Sequence, residues 1–110
     1  RGGDLKVSQM EPDGCVPLGQ TNMAKRGVAD MVPVVDMDKC IQCNVCSAIC
    51  PHAVIRPFLL SAGELKEAPP SWGARKATGG NTYAGLHYRI QASPNDCTGC
   101  EVCTNACPVG

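Results

Sequence analysis

The sequence predicts a small α+β domain whose two halves are related by a pseudo-twofold repeat. Two observations support this expectation. The chain has 110 residues with 12 glycines and 9 prolines, and its aromatic residues are only one Phe, one Trp and two Tyr, so a large side-chain core is not expected. The chain also has 9 cysteines, and all but one of them fall into two runs with the same spacing. We therefore expect bound metal, more than side-chain packing, to hold the fold together.

Both runs have the spacing CxxCxxCxxxCP. The first extends from Cys40 to Pro51 and the second from Cys97 to Pro108. Three cysteines at equal intervals, a fourth after three further residues and then a proline are the bacterial pattern for binding iron–sulfur clusters. The pattern predicts two [4Fe-4S] clusters and the fold of bacterial two-cluster ferredoxins.

Structural zinc and disulfides are the other uses that cysteine-rich chains make of their thiols. Paired CxxC motifs alone would fit zinc, and a zinc interaction module stays as an alternative. A disulfide framework needs an oxidising compartment, and no signal-peptide stretch is visible. The third cysteine and the closing proline of each run favour iron–sulfur clusters over zinc and over disulfides.

The fourth cysteine of each run is expected to bind the cluster of the other run, as it does in two-cluster proteins with this pattern. Cluster one is then held by Cys40, Cys43, Cys46 and Cys107. Cluster two is held by Cys97, Cys100, Cys103 and Cys50. Each cluster joins both halves of the chain, so we expect the domain without clusters to be largely unfolded.

Residues between the ligands are expected to adjust the clusters without touching a substrate. Val45, Val102 and Ile49 are predicted to exclude water. Gly99 allows the backbone to approach a sulfur, where N–H groups change the reduction potential. With every iron bound by thiolate, one-electron transfer is expected and no residue is assigned as catalytic. Cys15, outside both runs, is expected to be a buried or free thiol.

The first part of the chain is predicted to be irregular. Residues 1–31 are rich in Gly, Pro and polar residues without a reliable periodicity, which predicts an extended N-terminal arm. The cluster-binding domain is expected to cover residues 32–110. It begins with Val32–Val35, a short β-branched run whose proline suits an edge strand.

The remaining elements are predicted from equally local patterns. An insertion over about residues 57–81 separates the two motifs, and within it Ser61 and Glu64 have the spacing of a capping box. Each cluster loop is expected to contain a short helix ended by the motif proline. The other predicted elements are a strand at Ala53–Ile55, a helix over about residues 62–67, a loop at Trp72–Asn81 and a strand within Thr82–Gln91.

Charge and composition argue against two classes of partner. The formal net charge is zero, and no basic and aromatic surface or phosphate-binding glycine loop is recognisable, so no nucleic-acid partner is expected. No apolar segment approaches the roughly 20 residues of a membrane span, so no membrane association is expected.

Stretches of sequence in and around the two motifs resemble a known enzyme family. The stretches that carry the resemblance are Lys25–Asp30, Val32–Val34, Lys39–Pro57, Tyr88–Gln91 and Asp96–Cys100. They closely resemble the ferredoxin-type domain of pyruvate:ferredoxin (or flavodoxin) oxidoreductases, over nearly the whole chain and including the insertion.

The resemblance implies that this chain is a fragment of a much larger enzyme, as an absent initial Met and an end soon after Pro108 would also suggest. The parent would convert pyruvate to acetyl-CoA and CO2 using thiamine diphosphate, Mg²⁺ and a third [4Fe-4S] cluster, all outside this chain. Implied partners are the other parent domains, in a homodimer, and soluble ferredoxin or flavodoxin. The implied location is the cytoplasm of an anaerobic bacterium or an anaerobic organelle. A free-standing or otherwise fused ferredoxin-like carrier is the alternative.

Overall fold

The computed structural model describes residues 2–15, 18–19, 22–23 and 26–110. Its α-helices and strands are all short, which makes the described part a small α+β domain. In chain order they are α1 (Val45–Ile49), β1 (Ile55–Leu60), α2 (Ala62–Glu67), β2 (Arg75–Lys76), β3 (His87–Ala92) and α3 (Val102–Asn105).

The three strands form one antiparallel sheet in the order β1–β3–β2. Leu60 of β1 and Lys76 of β2 both pair with His87, from opposite sides of β3. Successive side chains of a strand point to opposite faces, and Tyr88 and Ile90 of β3 are only 5% and 1% exposed. The face of the sheet that carries these two residues is therefore the core face.

The buried core is small. Among the described residues it consists of Met37, Val54, Ile55, Tyr88, Ile90 and Cys97. Met37 lies just before the first cysteine run and Cys97 begins the second, so the core connects the sheet to both runs. Ser47 of α1 adds a hydrogen bond from its Oγ to the carbonyl of Ile55 in β1, at 2.8 Å.

The predicted N-terminal arm contains two 3-10 turns, Gly2–Asp4 and Val7–Gln9. Its last residues reach the second half of the chain. The N–H of Gly27 donates to the carbonyl of Asn95 at 3.0 Å, and Ala29 packs against the core. Outside the described residues lie positions 1, 16–17, 20–21 and 24–25 of the predicted arm, including Lys25 of the resemblance.

Val32–Val35 is not a strand, contrary to the prediction. It joins neither edge of the sheet, whose strand order is β1–β3–β2. The apolar run instead remains irregular and lies against the cysteine loops, as described below.

The other strand predictions were displaced. Ala53 has a left-handed φ of 50°, so the strand predicted at Ala53–Ile55 begins only at Ile55 and continues to Leu60, inside the predicted insertion. Part of the predicted loop Trp72–Asn81 pairs as β2. The predicted strand within Thr82–Gln91 starts at His87, because a 3-10 turn occupies Gly80–Tyr83 and Gly85 has a φ of 83°.

The helix predicted over about residues 62–67 is confirmed as α2. Both hydrogen bonds of its capping box are present. The N–H of Glu64 donates to Ser61 Oγ at 3.3 Å, and the N–H of Ser61 donates to Glu64 Oε2 at 2.8 Å. This helix was predictable because its signal lies within four consecutive residues.

Candidate metal centres

The two cysteine loops, residues 40–46 (the first loop) and 97–103 (the second loop), turn in the same way. Gln42 and Asn44 have left-handed φ angles of 59° and 60°. The equivalent residues of the second loop, Gly99 and Glu101, have φ angles of 69° and 59°. Each loop thus reverses direction at two matched positions and then enters a short helix, α1 or α3.

Cavity one has a volume of about 190 Å³ and adjoins the first loop. Its lining includes Cys40, Cys43, Cys46, Cys103 and Cys107. All four cysteines that the sequence assigned to cluster one are among them, so the structure brings Cys107 from the second run to the first loop. Residues of the sheet and of the irregular run complete the apolar wall: Val34, Val35, Ile55, Tyr88 and Ile90.

Cavity two, of about 350 Å³, adjoins the second loop. Its cysteines are Cys50, Cys97, Cys100 and Cys103, the set that the sequence assigned to cluster two. Met31, Val32 and Pro33 contribute to its wall, and Pro33 also lines cavity one. The run predicted as a strand therefore supplies apolar surface to both cavities.

The thiols that line each cavity lie close enough to affect one another's ionisation. Burial raises the pKa of Cys46; the N–H of Ser47 opposes this shift, and Cys43 and Cys40 add to it. Several thiolates that repel one another in a partly buried place are stabilised when they bind metal, which supplies the missing positive charge.

Burial, backbone N–H groups and neighbouring thiols also act together on the cysteines of cavity two, and there they link the two halves of the chain. Burial raises the pKa of Cys103, the N–H of Thr104 opposes this shift, and the neighbouring Cys50 and Cys100 add to it. Cys50 thus acts on a cysteine of the second run although it belongs to the first.

The thiol of Cys50 is affected by the backbone N–H groups of the residues that follow it. Burial acts to raise the pKa of its thiol, but the N–H groups of residues 52–55, that of Val54 first, outweigh burial and lower the pKa. Within this stretch Ala53 has a left-handed φ of 50°. In the second loop the N–H of Gly99 donates to Cys97 Sγ at 3.4 Å.

The donor sets fit tetranuclear clusters. A zinc ion needs all four ligands within about 2.3 Å of one point when they are thiolates. Each cavity is lined by at least four cysteines. Four thiols around a cavity instead match a cube with four iron corners.

The three residues predicted to exclude water are partly exposed. Val45, Ile49 and Val102 are 40%, 44% and 36% exposed, and they line neither cavity. The apolar walls come from the sheet and from residues 31–35, whose position depends on the tertiary fold and could not be read from the motif.

Tyr88 is a site residue that sequence reasoning placed only on a strand. Its hydroxyl donates to Asn44 Oδ1 at 2.6 Å, which joins the sheet to the first loop. Burial, together with the nearby Cys40, Cys46 and Cys43, raises the pKa of Tyr88 to about 12. The sequence offered one signal for this residue, a tyrosine in a predicted strand that leads to a motif. It offered no signal that Asn44 would be the partner of that tyrosine.

The ninth cysteine, Cys15, is an exposed free thiol whose N–H donates to Asp13 Oδ1 at 3.0 Å. Cys15 is therefore not buried, and it lines neither cavity. His52 is exposed, whereas His87 is partly buried, and its Nδ1 has no hydrogen-bond partner among the described residues.

Comparison with known proteins gives one family and several relatives. A family model described as a 4Fe-4S dicluster domain matches residues 36–110. The chain is 56% identical over 108 residues to the pyruvate dehydrogenase [NADP(+)] of Cryptosporidium parvum and 49% identical to the mitochondrial one of Euglena gracilis. It is 47% identical to the pyruvate:ferredoxin oxidoreductase of Moorella thermoacetica.

Each of these alignments covers 98% of this chain, but the chain spans only 6 to 9% of the relatives' lengths. Among the described residues, no helix has the length and apolar character that crossing a membrane would require.

Proposed function

Because the chain belongs to the family of 4Fe-4S dicluster domains, we propose that it is an electron-transfer domain that carries two [4Fe-4S] clusters and passes single electrons between them. The observation that carries this proposal is the pair of cavities, each lined by four or more cysteines drawn from both halves of the chain. When bound, the clusters supply one-electron redox chemistry.

The ligand sets follow the two cavities. Cluster one is bound by Cys40, Cys43, Cys46 and Cys107. Cluster two is bound by Cys97, Cys100, Cys103 and Cys50. The left-handed turns at matched positions of the two loops support a pseudo-twofold repeat, interrupted by an insertion over about residues 57–81. The arm, residues 1–31, and the cluster domain, residues 32–110, are the units of this arrangement.

The protein's own residues have two tasks in this function. They hold eight thiolates in place, and they keep the clusters apart from water and from substrates. Backbone N–H groups that follow Cys50 lower the pKa of its thiol, and the N–H of Gly99 donates to Cys97 Sγ. Hydrogen bonds to the sulfurs and the apolar walls then set the reduction potentials.

The parent protein in this proposal is a pyruvate oxidoreductase. Its other domains, absent from this chain, hold thiamine diphosphate, Mg²⁺ and a third [4Fe-4S] cluster, and the parent is a homodimer that converts pyruvate to acetyl-CoA and CO2. The names of the relatives support the substrate. They differ in the acceptor, since two are named for NADP(+) and one for ferredoxin, while flavodoxin is named in others. The location is the cytoplasm of an anaerobic bacterium or an organelle.

Metal and sulfide analysis tests the cofactor. The chain, purified without oxygen, is expected to contain about eight iron and about eight acid-labile sulfides, as two [4Fe-4S] clusters require. Zinc without sulfide would contradict the proposal and favour an interaction module. Comparing the reduction of ferredoxin, flavodoxin and NADP(+) by the pyruvate-reduced parent then identifies the acceptor.

A further inference from the structure

Hydrogen bonds join the first loop to the segment inserted between the two motifs. Gln42 lies between Cys40 and Cys43, and its Nε2 donates to the carbonyl of Lys76 at 2.8 Å. The N–H and the Oγ of Thr78 both donate to Gln42 Oε1, at 2.9 and 3.1 Å. One side-chain amide thus satisfies three polar groups of the inserted segment, at and just after β2.

A second contact from the same segment reaches the start of the first loop. Arg75 Nη1 donates to the carbonyls of Met37 and Asp38, at 3.1 and 2.7 Å. Residues on both sides of Cys40 are therefore tied to residues 75–78. We call these contacts the brace, formed by Met37, Asp38, Gln42, Arg75, Lys76 and Thr78.

The backbone at Gln42 gives an independent reason to regard the brace as more than incidental. Its φ of 59° is left-handed, a conformation that strains residues other than glycine. The equivalent residue of the second loop is Gly99, which takes a φ of 69° without that strain. Glutamine supplies what glycine cannot, a side chain that bonds to the insertion, so the strained position has a physical explanation.

The second loop is held differently. A Cβ at Gly99 would lie 3.3 Å from the carbonyl oxygen of Met31 and 3.5 Å from Ala29 Cβ, so the arm packs where a side chain would stand. Backbone packing against residues 29–31 thus replaces the side-chain hydrogen bonds of the first loop. The two loops share a conformation but depend on different segments of the chain.

We propose that Gln42 and Arg75 are positioning residues for cluster one, so that the inserted segment determines how firmly that cluster is held and at what potential it is reduced. This inference rests on the proposed function. The brace fixes the backbone of the first loop, and with it the distances between N–H groups and cysteine sulfurs, which affect both cluster retention and potential. Cluster two does not depend on the brace.

The test uses the full-length protein that contains this chain, purified with its clusters, and the substitution Gln42→Gly. Glycine removes the side-chain bonds but also relieves the backbone strain, so loss of stability cannot be attributed to a disfavoured φ. We expect amide exchange in residues 40–46 and the release of about four iron to a chelator to become about tenfold faster, the usual scale for residues that support metal ligands. Exchange in residues 97–103 should stay unchanged.

A redox titration separates positioning from mere structural support. In Gln42→Gly one reduction midpoint should move while the others stay in place. Thr78→Val, a milder change that removes one of the three bonds, should move the same midpoint in the same direction but less. Thr82→Val, at an exposed threonine just beyond the inserted segment, is the matched control and should move nothing.

Two results would overturn the inference: exchange in residues 40–46 that is unchanged or slower in Gln42→Gly, or equal changes in both loops. Failure of the proposed function would look different, because the wild-type chain would then contribute no acid-labile sulfide before any substitution is made.

Discussion

At the scale of single residues, the two cysteine loops reach one conformation by different means. The left-handed residue just before the second cysteine of each motif is glycine in the second loop and glutamine in the first. Glycine costs no strain and admits the arm, whereas glutamine is strained and bonds to the insertion. The identity of each residue is therefore explained by what packs against its loop.

Adding a methyl group at Gly99 should weaken the second loop. In Gly99→Ala the left-handed φ is strained by about 1–2 kcal/mol, and the new Cβ also contacts the carbonyl of Met31 at 3.3 Å. We expect the temperature at which cluster absorbance is lost to fall by about 5 °C or more.

Gly85→Ala is the control for this substitution, because Gly85 has a φ of 83° but no atom within 4 Å of an added Cβ. It carries the backbone strain alone and lies far in sequence from the cysteines, so its effect should be smaller. Equal losses in the two variants would show that the arm does not support the second loop.

At the scale of elements, local signals succeeded and signals that depend on partners failed. The helix α2 was predictable because Ser61 and Glu64 form their capping box within one turn. Val32–Val35 has strand composition but joins no strand of the sheet, and β2, with only two residues, has no sequence signal. Pairing with β3 decides which short segments become strands, and one sequence does not reveal that choice.

The capping box gives an element-scale prediction. Ser61→Ala removes the acceptor for the N–H of Glu64 and should destabilise α2 by about 1 kcal/mol. Amide exchange in residues 62–67 should become about fivefold faster, since 1.4 kcal/mol corresponds to a tenfold change. Ser71→Ala, at an exposed serine beyond the helix, should leave exchange in α2 unchanged.

The other half of the capping box, the hydrogen bonds that the Glu64 carboxylate accepts from Ser61, depends on pH. Hydrogen bonds from the N–H and the Oγ of Ser61 hold the pKa of Glu64 below its ordinary value. A carboxyl group whose pKa is lowered by folding stabilises the folded state above its unfolded pKa, about 4.3 for Glu, and that stabilisation is lost as pH falls through the folded value. The cap is therefore complete at neutral pH, where the exchange experiment is done.

At the scale of the whole molecule, the account depends on bonds between the two halves. The buried core of the described residues has few members, and one of them, Cys97, is a proposed ligand. Two clusters that each take three ligands from one run and one from the other would crosslink the chain twice. Metal binding then contributes to the free energy of folding.

Most of the ligand chemistry could be predicted from the sequence because ligand spacing is a property of the chain itself. The cysteine sets that line the two cavities contain all of the predicted ligands. The cavity walls could not be predicted, since Tyr88 and Ile90 reach the cysteines through the sheet and residues 31–35 through the tertiary fold. Val45, Ile49 and Val102, chosen for their place within the motifs, lie partly exposed outside the cavities.

The central claim is that the fourth cysteine of each run binds the cluster of the other run. Cys107→Ala tests this claim most directly. The variant is made in the full-length protein, with Cys15→Ala, which changes an exposed cysteine outside both cavities, as control. Amide exchange is then compared between residues 40–46 and 97–103. The account predicts faster exchange in residues 40–46, since Cys107 binds cluster one, and no change in Cys15→Ala. Faster exchange confined to residues 97–103 would contradict it.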